Sequence, residues 1–261
     1  AYIETAEKYH HSAIFVHPNP GPNGEMPDDI ESTRAILETI RELSGDTYFL
    51  MIHGDPTYPI PTGDTMMEFS TMMYEEPEKI HDGTKRKVEF AQKLCDEMHR
   101  HPGLLDGWAL CSDYCFNVNP FYSRDMFAEF VQPYLKEILD YYRANGYYSI
   151  KHTDGNVMPI LDMIVDCGPD AVHSLDPQGG VDLAEAKRLY GDRVCLIGNV
   201  NCGLMQTGTE EELIEDVRRA LRQGMPGYGY IFSTSNCAFT GLELKRYELM
   251  NKIWWEEGIY Q

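Results

Sequence analysis

The sequence lacks any apolar run of 18 or more residues, so no transmembrane helix is predicted. It also has few cations, with 22 Lys and Arg against 42 Asp and Glu and a net charge of −20. A surface this acidic repels phosphate backbones and anionic lipid head groups. Nucleic-acid binding and a polybasic membrane anchor are therefore excluded as main roles, and a small-molecule substrate or a protein partner is expected.

Several signatures are also absent. There is no P-loop, no G-x-S-x-G elbow and no G-x-G-x-x-G fingerprint, so P-loop NTPase, serine hydrolase and dinucleotide-binding functions have no support. No signal peptide is visible, and the seven cysteines are odd in number without a disulfide-scaffold pattern. We therefore expect a reducing cytoplasm. The chain starts at Ala1 rather than Met, which suggests a processed chain or a fragment with residues missing upstream.

The chain alternates short apolar stretches with amphipathic helices. Seven stretches rich in Val, Ile, Phe and Tyr predict short buried parallel strands, at residues 12–16, 47–53, 105–111, 147–152, 171–175, 193–198 and 229–233. A helix is predicted after Ser123, and Thr209 with Glu212 predicts a capping box before another. Pro77 predicts the start of a further helix, with a break near Gly83.

This alternation predicts a parallel sheet with helices on its outside, as in a (β/α)8 barrel, which needs eight strands. Only seven strands are counted, so the eighth is expected upstream of Ala1 or has been overlooked. An open doubly wound sheet is the alternative. The stretch 18–27, rich in Pro and Gly, predicts a surface loop over one end or a lid.

Polar residues follow five of the predicted strands, at the ends where barrel enzymes place their chemistry. They include Ser112-Asp113-Tyr114, His152-Thr153-Asp154, His173 with Asp176, Asn199 with Asn201 and Cys202, and Ser235-Asn236-Cys237. Helix capping and turn formation would explain about half of them, because Asp, Asn and Ser are favoured before helices. We assign the rest to a functional site.

One imidazole, one carboxylate and two thiolates at these ends form a candidate zinc set: His152, Asp154, Cys202 and Cys237. A catalytic zinc keeps one position open, so three of the four are expected to bind at once, with Asp176 as the reserve ligand. Each also has a structural alternative. A cysteine can be a small buried apolar residue, His152 a hydrogen-bonded core histidine, and Asp154 a turn former.

The motifs His152-Thr-Asp-Gly-Asn, Leu196-Ile-Gly-Asn-Val-Asn-Cys-Gly and Gly229-Tyr-Ile-Phe-Ser-Thr-Ser-Asn-Cys resemble the uroporphyrinogen decarboxylase superfamily. The resemblance extends in order over residues 47–261. It implies a (β/α)8 barrel that forms a single domain over residues 1–261, here lacking its N-terminal strand. The superfamily contains the decarboxylases of haem synthesis, and zinc-dependent methyltransferases that exchange methyl groups with corrinoid proteins.

Departures from the family patterns favour the methyltransferase branch. The decarboxylases have an N-terminal Arg-rich motif, which is not found in this chain, and a Gly-His-Gly where this chain has Ser235-Asn236-Cys237. The methyltransferases use His-x-Cys with a later Cys as zinc ligands. In this chain His152 is kept and Asp154 replaces the first Cys of that motif. Cys237 lies within one position of the later Cys, and Cys202 is available to supply the thiolate that Asp154 replaces.

The resemblance thus implies a zinc methyltransferase that moves a methyl group between a small substrate, or a thiol or pterin acceptor, and a corrinoid carried by a partner protein. Asp113 and Asp176 are expected as catalytic groups, and Tyr114, Asn199 and Asn236 as substrate contacts. The alternatives are a uroporphyrinogen decarboxylase and an inactive barrel that serves as a binding subunit. The assembly is left open, with a homodimer among the options.

Overall fold

The computed structural model describes residues 1–16 and 30–260. Its strands are β1 Ala13–Val16, β2 Phe49–His53, β3 Gly107–Cys111, β4 Tyr148–Thr153, β5 Ala171–Ser174, β6 Cys195–Val200 and β7 Tyr230–Thr234. Its helices are α1 Tyr2–Tyr9, α2 Ile30–Ser44, α3 Met66–Glu75, α4 Pro77–His99, α5 Arg124–Phe130, α6 Gln132–Ala144, α7 Leu161–Asp166, α8 Leu183–Tyr190, α9 Cys202–Thr207, α10 Glu210–Gly224 and α11 Leu244–Glu257. The predicted loop or lid at 18–27 lies outside the described residues.

The seven strands form one parallel sheet in the order β1 to β7. Each strand pairs with the next strand in the chain, and all seven predicted strands are present. Sequential parallel pairing with helices between the strands is the pattern of a TIM barrel, and residues 1–16 and 30–260 supply seven of its eight strands. None of the helices in the two described ranges has the length and apolar character needed to cross a bilayer.

Alternate strand residues pack outward against the helices. Trp108 and Leu110 are fully buried in a cluster with Leu135 and Tyr142 of α6, and the rings of Trp108 and Tyr142 stack at 4.5 Å. Because side chains alternate across a strand, the intervening residues point to the inner face of the sheet. His152 of β4 lies on that inner face, beside its register partner Cys111.

The sheet is curled, as contacts between the first and last helical regions of the chain show. His11, just after α1, hydrogen-bonds the Tyr247 hydroxyl of α11 at 2.8 Å through Nε2. The His10 ring stacks on Trp255 with centroids 4.3 Å apart. An open doubly wound sheet would hold the helices of its two outermost strands far apart, so these contacts favour the barrel.

Side-chain caps begin α5 and α10, and the second of these caps is the one that the sequence predicts. Ser123 accepts a hydrogen bond from the Met126 N–H at the start of α5, and Thr209 and Glu212 form the predicted capping box of α10. The helix predicted after Ser123 is divided at Val131, where α5 ends and α6 begins. Pro133 explains this division, because it has no N–H to bond the preceding turn and is tolerated only in a helix's first turn.

The predicted break of α4 near Gly83 was wrong. The helix runs without interruption from Pro77 to His99, and Gly83 is buried within it. A Cβ at this position would collide with the hydroxyl of Tyr58. The glycine therefore allows close packing of α4 against the segment after β2, and it does not end the helix.

Candidate metal centre

The polar residues predicted at the strand ends do meet at one edge of the sheet. His152 lies in β4, Asp154 directly follows that strand, and Asp113 lies two residues beyond the end of β3. The register pairs His152 with Cys111 on one side and with His173 of β5 on the other. The carboxyl ends of three adjacent parallel strands thus form the site.

Asp113, His152 and Asp154 bring one ligand atom each within 4.8 Å of one another. The Nε2 atom of His152 lies 3.8 Å from Asp113 Oδ1 and 3.7 Å from Asp154 Oδ1. Ligand atoms around a tetrahedral zinc stand about 3.4 Å apart when each bond is about 2.1 Å long. Over residues 1–16 and 30–260, this is the one group of three or more potential His, Cys, Asp or Glu ligands.

Hydrogen bonds hold each member of the group in place. The backbone N–H of Asp154 donates to Asp113 Oδ1 at 2.9 Å, and the Asn236 amide donates to Asp154 Oδ2. The Nδ1 atom of His152 lies 2.8 Å from Nδ1 of His173. Nε2 is therefore the nitrogen that faces the two carboxylates.

The charges of the group fit a divalent cation. Burial, with the neighbouring Asp113 carboxylate, raises the pKa of Asp154 to about 6. Burial, with the nearby His173, lowers the pKa of His152 to about 3, so this ring is neutral at neutral pH. Asp154 Oδ1 is buried and has no hydrogen-bond partner in the described part of the chain, although the Ser174 hydroxyl lies close enough to act against the rise in the Asp154 pKa. A neutral imidazole, two carboxylates and an unpaired buried oxygen together form a donor set that zinc accepts.

The two predicted cysteine ligands lie outside this group. Cys202 is the first residue of α9, buried, with its thiol 3.6 Å from the Asn236 carbonyl, and burial raises the pKa of that thiol. Cys237 is exposed, and its backbone N–H bonds the Asn236 side chain at 2.6 Å. Asn236 thus links Asp154 to both cysteines. Zinc ligation by the two thiols stays a prediction.

The remaining predicted site residues all have partners within the fold. Asp176 accepts a hydrogen bond from the Gln178 N–H at 3.0 Å and caps a short 3₁₀ turn. The hydroxyl of Tyr114 is fully buried, 2.6 Å from that of Thr57. Asn199 is fully buried and donates to the Leu175 carbonyl at 2.7 Å. Catalysis by Asp176 and substrate contact by Tyr114 and Asn199 stay predictions.

The sequence analysis missed Lys151 and Asp55. Lys151 is fully buried and donates to Asp55 Oδ2 at 2.8 Å. Although burial raises the pKa of Asp55, the Lys151 ammonium outweighs it and lowers that pKa below its usual value. The available signal was a lysine inside a strand with buried apolar neighbours, where a charge requires a partner.

The sequence of this chain matches a known protein family. The family model described as uroporphyrinogen decarboxylase (URO-D) matches residues 57–253. The chain belongs to this family. The superfamily resemblance of the sequence motifs is thereby confirmed.

Individual relatives are distant. A uroporphyrinogen decarboxylase of Chlorobium luteolum is 29% identical over 163 residues, which are 58% of this chain and 41% of that protein. One of Mannheimia succiniciproducens is 26% identical over 239 residues, 85% of this chain and 62% of that protein. The chain spans only about half the length of these relatives.

Among solved structures, a methyltransferase from Methanosarcina mazei has a similar fold. Its superposition on this chain gives a TM-score of 0.72 at 16% sequence identity, and it covers 97% of this chain and 84% of that one.

Proposed function

We propose that this chain is a zinc-dependent methyltransferase, which moves a methyl group between a small substrate or a thiol or pterin acceptor and a corrinoid carried by a partner protein. The observation that supports it best is the group of Asp113, His152 and Asp154 at the strand ends. When bound there, zinc would act as a Lewis acid on the methyl donor or keep a thiol acceptor deprotonated.

The residues of this chain have separate roles in the proposal. Asp113, His152 and Asp154 hold the ion, and Asn236 orients Asp154 through its side-chain amide. Cys202 and Cys237 remain proposed further ligands. Asp176, whose charge lies close enough to raise the pKa of Asp154, is the proposed acid/base or substrate-orienting group.

Electrostatics favour this proposal over porphyrinogen decarboxylation. Uroporphyrinogen carries several carboxylates, and anions are bound by cationic donors. The ends of β3 and β4 present the carboxylates of Asp113 and Asp154 and a neutral His152 instead. Lys151, next to His152 in sequence, is already neutralised by Asp55. The names of the relatives nevertheless make the decarboxylase the second candidate.

The full chain, loaded with zinc, tests both candidates in parallel. One assay supplies methylcobalamin and a panel of small thiols and follows the cobalamin absorbance. The other supplies uroporphyrinogen and follows coproporphyrinogen by chromatography. The proposal predicts cobalamin demethylation that Asp154→Asn abolishes and that Asp192→Asn, an exposed control, leaves intact. Coproporphyrinogen formation at enzyme-like rates would overturn it, and inactivity in both assays would favour the binding subunit.

The proposal places the protein in the cytoplasm. All seven cysteines are unpaired in the structure. Free thiols persist in a reducing compartment, whereas oxidising compartments convert suitably placed pairs to disulfides.

A further inference from the structure

The inner face of β5 places a second histidine directly behind the candidate metal centre. The Nδ1 atom of His173 lies 2.8 Å from Nδ1 of His152. Its Nε2 atom lies 3.0 Å from the backbone carbonyl oxygen of Thr234 in β7. The two rings lie with their centroids 4.9 Å apart. A chain of hydrogen bonds therefore runs from β7 through His173 to His152.

The direction of this chain follows from donor chemistry. A carbonyl oxygen can only accept, so Nε2 of His173 must carry the hydrogen in the bond to Thr234. The hydrogen-bond partners of His173 are a ring nitrogen and a carbonyl oxygen, and neither is an anion that would hold a second proton on this ring, so His173 carries a single N–H. Its Nδ1 is therefore the acceptor, and Nδ1 of His152 is the donor. The Nε2 lone pair of His152 then points at Asp113 and Asp154.

We infer that His173, anchored by the Thr234 carbonyl, is a positioning residue that holds His152 in the Nδ1–H tautomer and so presents its Nε2 lone pair to a cation. This inference rests on the proposed metal site. His173 works against a local preference, because the carboxylates of Asp113 and Asp154, 3.8 and 3.7 Å from Nε2, would favour an N–H at that nitrogen. A ring protonated at Nε2 cannot ligate a metal through that nitrogen, and the Nδ1 of His152 faces His173 rather than the two carboxylates.

Nitrogen-15 NMR of histidine-labelled full chain, free of metal, tests the tautomer directly. Two-bond proton–nitrogen correlations distinguish a protonated from an unprotonated ring nitrogen, and a His152→Gln sample assigns the His152 signals among the nine histidines. We expect Nδ1–H on His152 in the wild-type chain and Nε2–H in His173→Leu. His173→Asn should restore Nδ1–H, because its side-chain oxygen can accept from His152.

Zinc affinity, measured by chelator competition, is the second readout. His173→Leu should weaken binding about 10- to 100-fold, which is typical for the loss of a hydrogen-bond partner behind a ligand. His173→Asn should recover most of it, and His99→Leu, an exposed control on α4, should change nothing. Nε2–H in the wild-type chain, or unchanged tautomer and affinity in His173→Leu, would overturn the inference. The expected tautomer in a chain without zinc affinity would refute the metal proposal alone.

Discussion

Lys151 and Asp55 form a 2.8 Å ion pair in which both side chains are fully buried. Lys151 Nζ also donates to the carbonyls of Ser112 and His152, at 2.9 and 2.8 Å. These carbonyls belong to the ends of β3 and β4, which carry the candidate metal centre. A single buried cation thus ties together the strand ends that position Asp113 and His152.

We expect Asp55→Asn to lower the free energy of unfolding by about 3–5 kcal/mol, because it leaves the Lys151 charge buried and unpaired. Replacing both partners with apolar residues, as in Asp55→Leu with Lys151→Met, should restore much of the loss. Denaturant titration measures these differences. Arg188→Gln, which removes an exposed ion pair with Glu185, is the control and should cost far less, because solvent screens exposed ion pairs. A similar small loss in Asp55→Asn would show that the buried pair does not stabilise the fold.

Gly155, next to Asp154, combines a left-handed backbone conformation with neighbours that leave no room for a Cβ. Its φ is +78°, and a Cβ would lie 2.5 Å from the Phe116 carbonyl oxygen. We expect Gly155→Ala to cost about 1–3 kcal/mol of stability in denaturant titration and to displace Asp154. Gly45→Ala is the control, since its φ is +55° but the space around it is open. Equal losses in the two variants would mean that the collision contributes nothing.

The Asp154 carboxyl should make the metal-free chain less stable as the pH rises. Burial and Asp113 raise its pKa to about 6, above the ordinary value of 3.8, so the folded state binds more protons between these pH values. Stability is therefore lost as the pH rises from about 4 to 6, by about 2–3 kcal/mol.

Asp154→Asn, which is neutral at every pH and can still accept from Asn236, should avoid this loss. The metal-free variant should be more stable than wild type at pH 7.5 and equal to it near pH 4, in denaturant titrations at both values. A constant difference across this range would contradict the assignment.

Cys237 and Cys202 give the sharpest test of the predicted ligand set. If a thiolate joins the centre, zinc-edge X-ray absorption of the loaded chain will show sulfur at about 2.3 Å. In that case Cys237→Ala should remove the sulfur signal, or reduce it if Cys202 also binds. The variant should also lose most of its zinc while the fold persists. Cys195→Ala, at the opposite end of β6, is the matched control. A wild-type spectrum with only nitrogen and oxygen neighbours would exclude both cysteines.

Much of the fold could be predicted because it depends on local patterns. Apolar strand stretches, the Ser123 cap and the Thr209–Glu212 box each act over a few neighbouring residues. The parallel arrangement also predicts that strand ends meet, which brought His152 and Asp154 into the candidate site. The continuity of α4 could not be predicted, because Gly83 owes its place to a contact with Tyr58, 25 positions away in sequence.

The composition of the metal group required tertiary information. The sequence predicts a catalytic role for Asp113, whereas the β3–β4 register brings its carboxylate to 3.8 Å from His152 Nε2. The sequence identifies His173 only as a polar strand-end residue, because its contact with His152 depends on the β4–β5 register. The burial of Lys151 likewise depends on which side of the sheet it faces.

The central claim is that Asp113, His152 and Asp154 bind zinc, and metal analysis of the full chain purified without chelators tests it most directly. We predict about one zinc per chain in the wild type and in the exposed control Asp192→Asn. Asp113→Asn and His152→Ala should each lose most of it, while circular dichroism shows that both remain folded. A wild-type chain without zinc, or folded Asp113→Asn and His152→Ala variants that retain a full complement, would contradict the account.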